Sequence, residues 1–381
     1  MKILYIANSR LPTEKAHGLQ IMKTIEALIN QGVEVTLLLP RRRNSIVTDI
    51  QAYYGLNHMP RLVYVPNIFG FLESHFHKLY FSLQRLFFFK ATFWYGLFSN
   101  CDAIYSREIT ACFFLSLFGK RAYFEDHEPK KRWRGLYNLF IRRIYRKIIV
   151  AQGLVELYES VGVARNSYTV IPNGVDVDEF KSASIDKNIW RDFVGLEPNE
   201  KVILYVGHFY KWKGVFTLLD ASEYIEIGQI VMIGGLPNDR EMINDYIKQH
   251  ELGRIHVHPF VTHEKIIPIL KSADVLILPN TREEERSSKY TTPIKLFEYM
   301  AAGVPIVASD VESFRWYLKD NENALIFKAD DPKSLGQMIN QVLSDADLAQ
   351  KLVDNAKKTV LDYTWEHRAE LIISYITNKN G

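Results

Sequence analysis

The chain has 381 residues, 47% hydrophobic and 24% charged, with 20 Gly and 14 Pro, a composition that excludes collagen-like, mucin-like and disordered chains. The net charge of +3 conceals a division: residues 1–150 carry 22 Lys and Arg against 10 Asp and Glu, the remainder 25 against 34, which points to an anionic partner for the first part. Two cysteines, Cys101 and Cys112, exclude a disulfide framework and a four-cysteine zinc site and fit a reducing cytoplasm.

At about 150 residues per domain the length predicts two domains. KILYIA (2–7) reads as a first buried strand, and its apolar run is too short for the core of an export signal. LQIMKTIEALIN (19–30) follows with Ile21, Met22, Ile25, Leu28 and Ile29 at helical spacing, then VEVTLLLP (33–40), completing a βαβ unit. RLVYV (61–65), DAIYS (102–106), RAYFED (121–126), KIIVAQ (147–152) and YTVIP (168–172) are further predicted strands. Between them, residues 77–99 and 130–147 mix cations with large aromatics. That mixture suits the interface of an anionic membrane, and equally core helix faces with solvated cationic stems. Gln84, Arg85 and Lys90 interrupt the apolar stretch 79–99, so it falls short of the roughly 20 apolar residues of a membrane span.

The pattern stops after IPNGVD (171–176), crosses a polar stretch, and restarts with KVILYVG (201–207), QIVMIGG (229–235), IHVHPF (255–260), DVLILP (274–279) and PIVAS (305–309). Nearly continuous apolar strands separated by helices predict parallel sheets covered on both faces. The predicted class is α/β, with two Rossmann-like, doubly wound domains over 1–178 and 179–364. Ligands are expected at the carboxyl ends of the strands, in a central cleft between facing domains.

Two segments carry candidate chemistry. In SSKYTTPIKLFEYMAAGVPIVASD (287–310) a polar turn ends at Pro293, a helix bearing Glu298 follows, and Gly303 stops it; a helix start of this kind suits phosphate. In YVGHFYKWKGVFTLLDA (205–221) Gly207 ends a strand and Lys213 opens the next helix. There Gly permits close approach of a ligand and Lys can neutralise a diphosphate, or simply be a solvated surface lysine.

Taken in order, the HG turn at 17–18, IPNGVDVDEF, YVG…KG…LLDA, IGG, HPFV with ADVLILP, and PIKLFEYMAAGVPIVASD resemble glycosyltransferase family 4, the group 1 glycosyltransferases of the GT-B fold, over nearly the whole chain. The resemblance implies transfer of a sugar from a nucleotide sugar to a glycan, lipid-linked or small-molecule acceptor, with retention of configuration and with no metal or other cofactor. It implies cell-surface polysaccharide or glycoconjugate biosynthesis, in the cytoplasm or peripherally on the inner face of the cell membrane. The donor belongs to the second domain and the acceptor to the first, onto which a C-terminal helix within 365–381 crosses back.

Carried over residue by residue, the resemblance makes His127, Lys213 and Glu298 the catalytic set. His127 lies near the donor sugar and acceptor, Lys213 on the donor diphosphate and Glu298 on the nucleotide ribose. Gly18, in the loop after the first strand, and Gly207 approach the phosphates; backbone near Phe260 and Val261 holds the base; Tyr290, Thr291, Thr292, Pro293, Ile294 and Lys295 form the donor loop. The chain departs from the family pattern twice. His208 stands where an arginine usually completes the diphosphate clamp, and Tyr290 stands at the first of two paired glutamates, with Glu283, Glu284 and Glu285 a few residues earlier. These departures leave a noncatalytic nucleotide-sugar-binding scaffold as the alternative. A dinucleotide-dependent oxidoreductase is a weaker one, because ANSRLPTEKAHG (7–18) lacks a G-x-G-x-x-G turn. The DVD run at 176–178 and His256, His258 and His263 lack a ligand set for a metal, and no nucleic-acid-binding module is present.

Overall fold

A computed structural model describes residues 1–70, 76–129, 134–186, 188–197 and 199–378. The chain divides into two compact units, Met1–Asn173 with Trp365–Gly381, and Gly174–Thr364. In the first, β1 (Lys2–Ile6), β2 (Glu34–Pro40), β3 (Arg61–Val65), β4 (Ala103–Ser106), β5 (Ala122–Asp126), β6 (Arg146–Ile149) and β7 (Tyr168–Val170) form one sheet in the order β3-β2-β1-β4-β5-β6-β7. All pairs are parallel, with Tyr5 opposite Leu37 on one side and Tyr105 on the other.

The second unit repeats the scheme with β8 (Val202–Gly207), β9 (Gln229–Gly234), β10 (Ile255–His258), β11 (Val275–Leu278), β12 (Ile306–Ser309) and β13 (Leu325–Phe327), ordered β10-β9-β8-β11-β12-β13. Its strands are apolar at successive positions because both faces are covered. Val202 and Leu204 enter one buried cluster, while Ile203 and Tyr205 enter the cluster on the other side. Each predicted strand is present. β13 is an addition to the predicted set.

In each sheet the order reverses at the first strand, between β1 and β4 and between β8 and β11. Crossovers there leave to opposite faces, so a crevice opens at the carboxyl ends, where ligands bind in doubly wound sheets. Sequence reasoning ended the first domain at residue 178, whereas the compact units part at Asn173 and Gly174. The reason is backbone pairing: Val175 N–H donates to Tyr363 O at 2.9 Å, Val175 bridges Thr364, and Phe180 joins the core of the second unit. Helix Trp365–Thr377 packs on helix Ala16–Asn30 in the first unit.

Helix His77–Phe98 buries Tyr80, Gln84, Phe88, Thr92 and Gly96, a single stripe spaced by four. So narrow a stripe leaves Leu79, Leu86, Trp94, Tyr95 and Phe98 exposed. Phe114, Leu117 and Phe118 around helix Ile109–Leu117, and Leu136 and Leu139 on helix Arg134–Arg143, are exposed beside them. Lys130 to Trp133, part of the basic aromatic run, lie outside the described residues. Among the described residues no helix is long and apolar enough to cross a membrane.

Candidate functional site

The crevice of the second unit is built on two glycines. Gly207 ends β8 at φ +147°, where a Cβ would stand 2.8 Å from Lys295 Nζ. Gly214, at φ +70°, opens helix Val215–Ala221, and a Cβ there would overlap the Pro279 carbonyl oxygen just after β11. Only glycine brings the turn Lys211–Lys213 this close to β11. Gly234 and Gly235 abut Gly207 from the β9 side, with Gly235 N–H donating to Gly207 O at 3.1 Å.

Lys213 is therefore not a surface lysine. Its side chain is 9% exposed, and Nζ lies 4.0 Å from the centre of the Trp212 ring. Among the described residues no carboxylate or carbonyl accepts from it. Burial, then the charges of Lys295 and Arg286, push its ammonium well below the ordinary lysine value. Lys295, on helix Ile294–Ala302, donates to Val206 O at 2.9 Å and lies 4.3 Å from the Tyr205 ring centre. Burial lowers it to about 7 against the pull of Glu298 one turn on. A buried ammonium beside a partly buried one, neither in a carboxylate salt bridge among the described residues, is costly unless an anion joins them.

The remaining predicted positions surround this pair. Pro293 is the N-cap of the helix carrying Lys295 and Glu298, and Gly303 ends that helix at φ +74°. Thr292 Oγ1 lies 3.4 Å from Tyr317 Oη, Ile294 is buried, and Tyr290 and Thr291 are partly buried. His208 stacks on Tyr210 at 4.9 Å and meets Phe260 edge to face at 5.1 Å, and Phe260 remains 39% exposed while Val261 packs on the core. Glu283, Glu284 and Glu285 are exposed.

A second constellation occupies the corresponding end of the first sheet. His127 follows β5, and its Nε2 lies 2.5 Å from Glu125 Oε1. An ionised carboxylate only accepts, so Nε2 carries the proton, and the neutral ring presents Nδ1 as an acceptor. Burial and then Arg107 lower the imidazole to about 4, with Glu125 acting in the opposite sense; the ring is neutral near pH 7 and its side chain 21% exposed. Glu125 is wholly buried. It accepts from Arg368 Nη2 and Gln20 Nε2, both at 2.7 Å, and from Tyr105 Oη. Burial would raise its carboxyl, but Arg368, His127 and Arg107 together outweigh this and hold it well below the carboxylate range.

Gly18 lies in the first turn of helix Ala16–Asn30, rather than in the loop expected for it. A Cβ there would meet Tyr54 Oη at 2.2 Å, so packing already requires glycine. Gln20, two residues on, accepts from Arg107 at 3.2 Å, bringing the start of this helix to Glu125 and His127. Sequence reasoning missed Glu125, Arg107 and Arg368. Glu125 stands beside His127 in YFEDHE, but nothing local signals its partner 243 residues away.

The segments weighed for metal serve other ends. Asp176 caps helix Val177–Ser182 by accepting from Glu179 N at 3.0 Å, and Asp178 pairs with Lys181 at 2.9 Å. His256 meets Gln229, and the His258 ring lies tilted against Phe193 at 3.8 Å; the His263 side chain lies outside the described residues. Among the described residues no group of three or more His, Cys, Asp or Glu side chains is placed to hold a metal.

The family model for glycosyl transferases group 1 matches residues 186–359. Over these residues, under half of the chain, it is similar to that family. An uncharacterized glycosyltransferase of Methanocaldococcus jannaschii is 30% identical over 232 residues, 58% of this chain and 57% of the relative. The phosphatidyl-myo-inositol mannosyltransferase of Mycobacterium leprae is 29% identical over 217 residues, 53% of this chain and 51% of the relative. The chain thus spans about half the length of the curated relatives it matches. Sucrose-phosphate synthase from Thermosynechococcus elongatus superposes with a TM-score of 0.78 at 20% identity, over 98% of this chain and 97% of that one. Anabaena HepE in complex with UDP-glucose gives 0.78 at 16% identity, over 99% of both. The fold is GT-B. In the second unit both departures from the family pattern are visible in space: His208 is engaged in stacking, and Tyr290 directly precedes the loop Thr291–Pro293.

Proposed function

We propose that the protein is a retaining glycosyltransferase that takes a sugar from a nucleoside-diphosphate sugar, without metal or other cofactor, and passes it to a hydroxyl of a glycan, lipid-linked or small-molecule acceptor. The observation that carries this reading is the buried Lys213 ammonium within reach of the charges of Lys295, which lies against Gly207, and of Arg286, an arrangement complementary to a diphosphate. Names of relatives add support, among them a phosphatidyl-myo-inositol mannosyltransferase and a D-inositol 3-phosphate glycosyltransferase, and a structural neighbour holds UDP-glucose. Polysaccharide or glycoconjugate assembly is the corresponding pathway class.

In this reading Lys213 and Lys295 face the diphosphate, the Gly207 turn admits it, Glu298 accepts from the ribose hydroxyls, and backbone at Phe260 and Val261 meets the base. Residues Tyr290–Ile294 approach the sugar. By the family resemblance, Gly18 is assigned to the phosphates and neutral His127 to accepting from a sugar hydroxyl through Nδ1. As the bond from the anomeric carbon to the diphosphate oxygen breaks, its electron pair leaves on the diphosphate. The acceptor oxygen bonds to the same face of that carbon and its proton passes to the departing oxygen. Fixed cations stabilise the departing charge more than the ground state, which accelerates transfer.

The test is thermal unfolding of the purified protein with UDP, GDP, ADP, CMP and NAD in parallel. A ligand at 100 times its Kd stabilises by about 2.7 kcal/mol, on the order of 5–10 °C for a unit of this size. A shift with one nucleoside diphosphate is expected and names the base; a shift with NAD alone overturns the reading.

The exposed aromatic surface is assigned to the inner face of an anionic cell membrane. The helices His77–Phe98, Ile109–Leu117 and Arg134–Arg143 contain no acidic residue, and Lys78, Arg85, Lys90, Arg134, Arg142 and Arg143 are exposed among the aromatics. Cations beside exposed Trp, Tyr and Phe complement anionic headgroups. The protein is expected to float with anionic liposomes at low salt and to be partly released at high salt; absence of flotation at either salt rejects the assignment.

A further inference from the structure

The cation cluster of the second unit has a member outside every recognised motif. Arg286 follows the acidic run Glu283–Glu285 and lies on the short helix Glu285–Ser288, after β11. Its guanidinium carbon is 5.0 Å from the centre of the Trp212 ring, the same ring that has Lys213 Nζ at 4.0 Å. Trp212 is in turn stacked on Tyr210, and Tyr210 on His208, at 6.0 Å and 4.9 Å.

This approach is built into the backbone. The next residue, Ser287, is fully buried. Its hydroxyl donates to Trp212 O at 2.8 Å and accepts from Asn280 Nδ2 at 3.2 Å, and its carbonyl accepts from Ser313 Oγ at 3.0 Å. Thr281 N–H donates to the same Trp212 carbonyl at 3.4 Å. The segment carrying Arg286 is thereby fastened to the turn carrying Lys213, across the point where β8 and β11 diverge.

Three cations from three segments, Lys213 after β8, Arg286 after β11 and Lys295 on the following helix, converge on one crevice. Lys213 is nine-tenths buried there and no acceptor among the described residues meets it. Such a field is discharged by an anion of more than one charge. A guanidinium adds what two ammonium groups lack, a planar fork that grips two phosphate oxygens at once. The position directly after the β8 glycine cannot supply it, because it holds His208, an imidazole that stacks on Tyr210 and meets Phe260 edge to face.

We propose that Arg286 is a diphosphate-binding residue, delivered from the β11 side of the crevice and acting with Lys213 as a two-sided clamp. The inference rests on the reading of this unit as a nucleoside-diphosphate-sugar site and identifies how that site holds the diphosphate.

The experiment is isothermal titration of the full chain with inorganic pyrophosphate, with the nucleoside diphosphate that stabilises the wild type, and with the corresponding nucleoside without phosphates. Arg286→Gln is expected to weaken pyrophosphate and nucleoside diphosphate binding about 10- to 100-fold, to leave nucleoside binding unchanged, and to keep the unfolding temperature because the side chain is exposed. Arg286→Lys restores part of the loss, a charge without the fork. Equal weakening of the nucleoside assigns Arg286 to shaping the Trp212 turn and overturns the proposal, as does a variant that binds all three ligands like the wild type. A wild type that binds no nucleoside diphosphate rejects the functional reading and this inference with it. The two failures are thus told apart by the wild-type titration.

Discussion

A Lys213→Met variant is expected to be more heat-stable than the wild type without ligand, and to lose about 10²–10³-fold in kcat/KM for sugar transfer. Both effects have one cause. The ammonium is buried, has no acceptor among the described residues, and is repelled by Lys295 and Arg286, so the folded protein alone is better off without it. When the diphosphate departs, the same charge faces developing negative charge in a water-poor site, where its stabilisation is large. Linkage fixes the sign of the pH dependence. The folded-state value lies well below 10.5, so the unfolded chain binds more protons between the two values, and wild-type stability climbs as pH rises toward 10.5. The advantage of the variant is therefore greatest near neutral pH and shrinks toward pH 10. Scanning calorimetry at pH 7 and 10, with transfer kinetics at pH 7, checks this; a variant less stable than wild type at pH 7 would mean that the lysine stem is a packing element.

The opposite sign is expected at Arg368. It is 2% exposed on helix Trp365–Thr377, where it donates to Glu125 Oε2 at 2.7 Å, to Ile171 O at 2.7 Å, to Pro172 O and to Thr24 Oγ1 at 3.3 Å. Arg368→Met strands the Glu125 carboxylate in the core, at a cost of about 3–5 kcal/mol, or roughly 6–20 °C in the midpoint of the first unit. Adding Glu125→Gln should recover part of that, since an amide costs less to bury than an unpaired charge. Glu125 is held below its unfolded value, so its contribution is present above about pH 4.5 and fades as pH falls below it; the double variant should lose stability less steeply in acid. Because Glu125 also orients His127, the single variant should lower kcat even at temperatures where it is folded. An unchanged midpoint for Arg368→Met would show that the helix is held by its apolar face alone.

How much of this was legible depended on the range of the interaction concerned. The strands showed in the sequence because both faces of each sheet are covered, which makes runs such as Val202–Val206 apolar without alternation. Helix Ile294–Ala302 showed because Pro293 and Gly303 punctuate it locally. β13, Leu325–Phe327, did not, and the aromatic helix His77–Phe98 did not either. Its composition fits a core or an exposed face equally, and only the four-residue spacing of what its neighbours bury separates the two.

The candidate site divides along the same line. Gly207, Lys213, Lys295 and Glu298 sit within short motifs and could be named from one sequence, but whether Lys213 was solvated or buried could not, because that depends on the turn's close approach to Pro279 at Gly214 and on the Trp212 ring beside it. Arg286, Arg107 and the Glu125–Arg368 pair carry no local mark. They acquire meaning when crossovers bring β8 beside β11 and the last helix back to the first sheet. Backbone propensity and hydrophobic period act over a few residues, and they suffice to write the order of strands and helices. A charge takes its energy from whatever lies within a few ångströms, and in a parallel sheet with long crossovers those neighbours come from distant parts of the chain.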